Sequence, residues 1–381
     1  MRRRLACIRF LAVLCLLLAA CAETGWLKQA ESGGWHATRM AEWEEAFRRA
    51  DPRWRGADGA YSVPLSDSKN LWVFGDTWIT APGAIGREEA RIIRNSLALQ
   101  ELGSDRPGKI EFFWRQKEDV PEAPFVPDTG PGWLWPLSGE RVPDALCLFL
   151  GHFVANDSEL GFELFGCWLF RVLNPDDPPA TWQVRKDRVP FCEHGMKGDL
   201  IFGVGCFAYD GFLYVYGVRE DWSRGAEGRS LLVARTPLAS IREADFSSWR
   251  FLSGDGWASE VSRCTSLFDG AATEMSVSYL PGRKRFLAVY SFCGLSESIL
   301  GRLARHPAGP WGEPMILFRC PEVAWSKEYF CYAGKAHPEL AKGENEVVIT
   351  YAVNSWKLED HQTDLRLYWP RFVRLKQGEH E

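Results

Sequence analysis

Asp58 and Asp76 bracket one short stretch, GADGAYSVPLSDSKNLWVFGDTW (residues 56–78), which reads as two strands joined by a turn. The loop near residues 66–69 lets Leu65 pair with Lys69 or with Leu71, so paired residue numbers sum to 134 or 136. Both sums are even. Either register puts the two aspartates on one face of the hairpin, because strand side chains alternate with period 2. In the first register they are direct cross-strand neighbours with Cβ atoms ~5 Å apart; in the second they are diagonal. The alternation of Tyr61, Val63 and Leu65 against Leu71 and Val73 supports the even sums. Two carboxyl groups this close push their pKa values apart, so one can stay protonated while its partner stays charged. Cleavage of a glycosidic bond needs such a pair: one group protonates the leaving oxygen, the other attacks the anomeric carbon or activates water. On this reading Asp76 is the acid or its partner and Asp58 the nucleophile or base. The competing reading gives each a local task, Asp58 capping the turn before Gly59 and Asp76 accepting from backbone amides.

Further candidates stand at the ends of other strand-like runs. Glu274 opens the run ATEMSVSYL. His337, in KAHPEL, is held extended by Pro338 and could bind substrate, tune a carboxylate or organise an ion. Asn354 and Arg371 fall in late strands, and Arg371 could clamp a buried carboxylate with two parallel bonds. Asn95 in RNSLAL and Arg219 in YGVRED occupy strand ends. A sugar site also wants an aromatic platform, for which Trp78, Trp133 and Trp135 are candidates. Most of the 18 Trp are expected to be packing instead.

The elements that must position these residues are mostly strands. Helical periodicity is confined to residues 39–49, one short amphipathic helix before the main domain. One strand type recurs: LWVFGDT from Leu71, LCLFLGH from Leu146, LYVYGVRE from Leu213, FLAVYSF from Phe286 and VVITYAVN from Val347. The steps are 75, 67, 73 and 61 residues. Most repeats have a turn and a strand before them and a further strand after. Trp114, Trp182, Trp249 and Trp311 lie near the ends of four successive units. Five such units predict an all-β fold, a five-bladed β-propeller over residues 50–376. Strand ends on one rim of a propeller converge on its central cleft. A pair of β-sandwich domains is the alternative, but no Pro/Gly/Ser linker divides the chain.

Composition bounds the function. The formal charge of −5 and the lack of a long Lys/Arg run after the N-terminus argue against nucleic-acid binding. The first residues carry Arg2, Arg3 and Arg4, then an apolar run over 10–18, then Leu18-Ala19-Ala20-Cys21. This order predicts a lipoprotein signal over residues 1–20, with Cys21 lipidated and residues 21–49 forming a tether and the helix. The protein is then exported, anchored to a bacterial membrane in the periplasm or at the cell surface, and expected to be a monomer. An ordinary signal peptide is the alternative. Eight cysteines remain beyond the signal: Cys147, Cys167, Cys192, Cys206, Cys264, Cys293, Cys320 and Cys331. None lies in a CxxC pair, so a zinc site is not expected. Export permits disulfides, while thiols within apolar runs suit burial.

GADGAYSVPL…LWVFGDTW, GPW at 309–311, KAHPEL at 335–340, YAVNS at 351–355 and YWPRFVRL at 368–375 occur in that order. Together they resemble a bacterial domain-of-unknown-function family, similar to five-bladed propeller glycoside hydrolases and including endo-D-arabinanases. The resemblance covers about residues 50–376 and is strongest in the first and last units. It implies catalytic aspartates at 58 and 76, and a Glu from a later unit, here Glu274, as general acid. It also implies a polysaccharide or oligosaccharide partner, arabinan-like or otherwise furanosidic. No cofactor is required, although a structural calcium is compatible with such propellers. Relatives often carry a Trp-Pro-Gly-Asp turn entering the second unit, where this chain has Trp135-Pro136-Leu137-Ser138. A carbohydrate-binding propeller of the envelope without hydrolytic activity would use the same cleft.

Overall fold

The computed structural model describes residues 34–103, 106–158 and 161–378. The signal over residues 1–20 and the lipidation candidate Cys21 lie outside the described residues. The fold is mostly β. Among the described residues five antiparallel sheets have four or more strands, joined in chain order. Sheet 1 comprises Tyr61–Ser66, Lys69–Phe74, Ser96–Glu101 and Ile110–Phe113. Sheet 2 comprises Trp133–Val142, Ala145–Ala155, Phe162–Val172 and Val184–Val189. Sheet 3 runs through Leu200–Tyr209, Phe212–Glu220, Arg229–Pro237, Arg250–Ser253 and Gly256–Ala258. Sheet 4 comprises Met275–Leu280, Arg285–Ser291, Ser298–Ala304 and Met315–Arg319. Sheet 5 takes Tyr329–Ala336, Glu346–Ser355 and Arg371–Gln377 from the end of the chain and Trp35–Arg39 from its beginning.

The five recurring sequence runs are the second strands of these sheets. Each is nearly all apolar because both of its faces are covered. Leu71, Trp72, Leu146, Phe149, Val215, Tyr216, Leu287, Val289, Val348 and Ile349 are buried. The first strands pack side by side in the order 1–2–3–4–5. Sheet 5 then meets sheet 1: the Ser62 hydroxyl lies 2.6 Å from His337 Nδ1, and Lys335 Nζ sits 3.9 Å from the centroid of the Tyr61 ring.

The N-terminal segment departs from the sequence reading. Residues 35–39 are not tether but the outer strand of sheet 5, paired from Trp35↔Gln377 to Arg39↔Val373. The helix is Ala41–Ala50, with acidic Glu42 and Glu44 in its first turn and Arg48 and Arg49 in its last, which complements the helix dipole. Its buried face carries Trp43 and Phe47; the Phe47 ring packs on Phe372 at 5.3 Å and edge-on to Trp72 at 5.3 Å. Glu44, on the same face, pairs with Arg39 (2.8 Å) and Arg371 (2.7 Å). Glu322, wholly buried, pairs with Arg39 (3.0 Å) and accepts from the Tyr351 hydroxyl (2.8 Å). This network fastens the start of the chain to its last strands.

Candidate active site

The opening hairpin adopts the first of the two anticipated registers. Tyr61↔Val73, Ser62↔Trp72, Val63↔Leu71 and Pro64↔Asn70 all sum to 134. A bulge at Leu65 then shifts the pairing to Ser66↔Lys69, so Leu65 itself faces no single partner. At the other end the pairing passes into a small sheet in which Ala57 opposes Thr77. Between the two, the Asp58 amide donates to the Asp76 carbonyl (2.8 Å) and the Gly75 amide donates to the Asp58 carbonyl (2.8 Å). The aspartates therefore stand opposite each other where the hairpin opens. Two glycines make this corner. Gly56 has φ +103°, and a Cβ there would come within 2.2 Å of the Tyr368 carbonyl oxygen. Gly59 has φ +60°, and its Cβ would lie 2.9 Å from the Tyr61 ring and 3.4 Å from Glu274 Oε1.

Glu274, just before the first strand of sheet 4, reaches the same spot. Its Oε1 accepts from the Tyr61 hydroxyl (3.2 Å) and lies 3.6 Å from Lys335 Nζ. Lys335 projects from the first strand of sheet 5 and is buried. Tyr332, on that strand, lies beside the Asp58 carboxyl, and Asn354 Nδ2 donates to the Tyr332 hydroxyl (3.2 Å). Asn354 in turn accepts from His361 Nε2 (2.5 Å). Asp76 is held differently: Oδ2 accepts from Arg94 Nη1 (2.9 Å) and Oδ1 from Trp135 Nε1 (2.8 Å). The Arg94 guanidinium also lies over Trp133, 4.2 Å from the ring centroid. Trp133, Trp135, Phe153 and Phe162 pack edge-on and tilted into one aromatic ledge beside Asp76.

The three carboxyl groups have distinct electrostatic settings. Burial and then the Glu274 carboxylate push Asp58 up to about 8, against the opposing pull of Tyr332 and Lys335. Its Oδ1 is buried without a hydrogen-bond partner among the described residues. Burial also raises Asp76, while the charge of Arg94 opposes it. Lys335 is lowered by burial, with Glu274 and Asp58 pulling it back up. Tyr332 is raised well above its ordinary value by burial and then Asp58, so its hydroxyl stays protonated. Tyr368 is raised by burial, with Asp58 and Asp76 adding to it, which sets it close to the pair. A cluster of this kind separates an acid from a charged partner by environment alone.

The other sequence candidates divide into two groups. Trp135 and Asn354 join the cluster directly or through Tyr332. Trp78 is buried on Thr77–Ile79 and stacks on His361 at 6.3 Å, behind the cluster. Asn95 stands apart: it is fully buried, and its amide is used by the Phe125 and Leu134 carbonyls and the Phe125 amide. Arg219 donates to the Cys264 carbonyl (3.2 Å) on sheet 3. Arg371 belongs to the buried Glu44–Glu322 network. His337 has Ser62 on Nδ1 and Thr350 on Nε2, both at 2.6 Å, and burial lowers it to about 3. With both nitrogens engaged it has no lone pair to offer an ion or a sugar. Among the described residues no group of three or more His, Cys, Asp or Glu side chains could hold a metal ion.

Tyr332, Lys335, Arg94 and Tyr368 were not candidates from sequence. Lys335 had a readable signal, a lone cation inside the apolar run YFCYAGKAH. Tyr332 and Tyr368 did not, since their role depends on which face of a strand or turn meets sheet 1.

Carboxyl groups beside a ledge of aromatic rings, on a scaffold of successive antiparallel sheets, define the candidate site. The chain belongs to the family defined by a domain of unknown function (DUF5005), whose model matches residues 41–377. A candidate hydrolase from Bacteroides ovatus ATCC 8483 shares the fold, with a TM-score of 0.71 at 17% identity over 93% of this chain and 95% of that one. Looser overlaps include a GH43_1 enzyme from Xanthomonas citri complexed with xylotriose (TM-score 0.45, 12% identity, 88% of this chain and 92% of that one). Another is a mutant of the GH32 β-fructofuranosidase from Bombyx mori in complex with sucrose (TM-score 0.45, 10% identity, 88% and 66%). No curated protein matches the sequence.

Proposed function

We propose that this chain is an exported, lipid-anchored glycoside hydrolase whose five sheets are the blades of a propeller. Its substrate is a polysaccharide with furanosidic, arabinan-like linkages. One observation carries the catalytic reading. Three carboxyl groups meet at one end of the first strands, and among the described residues Asp58 is the one of the three without an ion pair, lying beside the neutral Tyr332, while Asp76 pairs with Arg94 and Glu274 with Lys335. Asp58 then holds a proton at neutral pH and delivers it to the departing glycosidic oxygen. Glu274, paired with Lys335 and hydrogen-bonded by Tyr61, attacks the anomeric carbon or takes the proton of a water. Lys335 and Tyr332 stabilise the Asp58 carboxylate left behind. Asp76 orients Arg94 and Trp135, and so the aromatic ledge on which a sugar ring can rest. These roles differ from the sequence expectation: Asp58 becomes the acid, and its reacting partner is Glu274 rather than Asp76.

Leaving-group chemistry tests the assignment. Asp58→Asn should lose about 10²–10⁴-fold on a polysaccharide, whose leaving oxygen needs protonation, and much less on a nitrophenyl glycoside, whose leaving group does not. Glu274→Gln should lose activity on both. Parental rates for Asp58→Asn on the polysaccharide would remove Asp58 from the chemistry. Glycan binding by the parent without release of reducing ends would instead identify a binding cleft.

A further inference from the structure

Two pairs of cysteines, far from each other in the molecule, are neighbours, with all four thiols free. Beyond burial, the nearby Cys331 thiol raises Cys320, and the nearby Cys192 thiol raises Cys167. Backbone contacts put each pair in one place. Cys192 Sγ accepts from the Phe202 amide at 3.2 Å, and the same Phe202 backbone lowers Cys167, so it lies beside both thiols. The Cys320 amide donates to the Glu297 carbonyl at 2.8 Å, and the Cys331 carbonyl accepts from the Ser296 amide at 3.1 Å, one residue away. Cys167, Cys320 and Cys331 are buried and Cys192 is half-buried. The partners are 25 and 11 residues apart in sequence, so closing either loop restricts the unfolded chain.

We infer that Cys167–Cys192 and Cys320–Cys331 are the disulfides of the exported protein, and that the second one fastens the strand that serves the carboxylate cluster. Cys331 lies on Tyr329–Ala336, immediately before Tyr332 and four residues before Lys335. Cys320 immediately precedes the short helix Pro321–Trp325, which carries the buried Glu322. The bond would tie the strand holding Tyr332 against Asp58, and Lys335 against Glu274, to the buried ionic network behind it. The oxidant is a small-molecule or protein disulfide. Its S–S bond breaks, the protein S–S bond forms, and the two cysteine protons pass to the two thiols released. The protein gives up two electrons per bond and the oxidant gains them. Burial raises the Cys167 and Cys320 thiols well above their ordinary value, so exchange is slow in the folded dithiol and the bonds form while the chain folds.

The experiment refolds the full, reduced chain in a mixture of oxidised and reduced glutathione. Thiols are then alkylated, and peptides are mapped by mass spectrometry without reduction. The same mapping is run on chain secreted into an oxidising compartment. The expected result is two cross-linked species, Cys167–Cys192 and Cys320–Cys331, and four fewer alkylated thiols than in reduced protein. Oxidised parent should also melt several degrees above reduced parent, about half of that gain should vanish in Cys320→Ser, and Cys147→Ser should leave the gain intact. Alkylation of all four cysteines in the secreted chain, or cross-links to other cysteines, would overturn the inference. None of these readouts depends on turnover, so the disulfides and the catalytic reading stand or fall separately.

Discussion

Replacing Asp58 by Asn should stabilise the protein while abolishing its chemistry, and the stabilisation should grow with pH. The Asp58 carboxyl is pushed from 3.8 up to about 8. The folded protein therefore binds this proton more tightly than the unfolded chain does. The associated stability is full below pH 3.8, declines as pH rises, and levels off above about pH 8. At pH 7 the side chain has been carried about 3.2 pH units above its unfolded pKa, which at 1.36 kcal/mol each costs about 4 kcal/mol. At pH 5 the same reckoning gives about 1–2 kcal/mol. Asn cannot ionise and escapes the whole cost. It forfeits the best fit of the carboxyl to Tyr332, about 1 kcal/mol. The net gain is about 3 kcal/mol at pH 7 and at most about 1 kcal/mol at pH 5. Urea denaturation of parent and variant from pH 4.5 to 8.5, at fixed salt, measures the difference directly. A difference that is flat across this range, or a variant less stable than parent at pH 7, would refute the claim that Asp58 is held protonated.

Four further outcomes follow from the contacts. Trp135→Phe keeps the ring but removes the donor to Asp76; glycan turnover should fall about tenfold with little change in melting temperature, read by reducing-end release and calorimetry. Arg371→Met leaves the buried Glu44 and Glu322 to Arg39 alone and should cost up to about 3–5 kcal/mol in denaturant titration, with kcat per folded molecule unchanged. Deleting residues 1–39 removes the outer strand of sheet 5 along with Arg39, and should lower the denaturation midpoint in urea titration. Asn95→Ala leaves the Phe125 amide and two carbonyls without their partner and should destabilise by about 2–4 kcal/mol, again without altering glycan affinity.

Much of the scaffold was legible because it rests on local rules. Second strands covered on both faces must be apolar throughout, and five such runs spaced 61–75 residues apart mark the five sheets. Parity gave the shared face of Asp58 and Asp76 but left two registers open, and the bulge at Leu65 escaped. The strand Trp35–Arg39 did not show, since WHATR has no strong alternation and its pairing partner lies more than 330 residues away. The cluster was half legible. The carboxylates announced themselves by type and position, but their roles depend on charges brought from other sheets. Lys335 and Tyr332 come from sheet 5, and no spacing in the sequence links them to Asp58. His337, Asn95 and Arg371 carried the right chemistry in suggestive motifs, yet burial commits each to a structural partner.

The central claim is that the carboxylate cluster cleaves glycans, and reducing-end release from a panel of arabinans, other furanosidic polysaccharides and xylans tests it most directly. The parent should release oligosaccharides from at least one furanosidic polysaccharide, and Asp58→Asn and Glu274→Gln, shown to be folded, should release none above background. No release by the parent from any of these, or equal release by parent and both variants, would contradict the account.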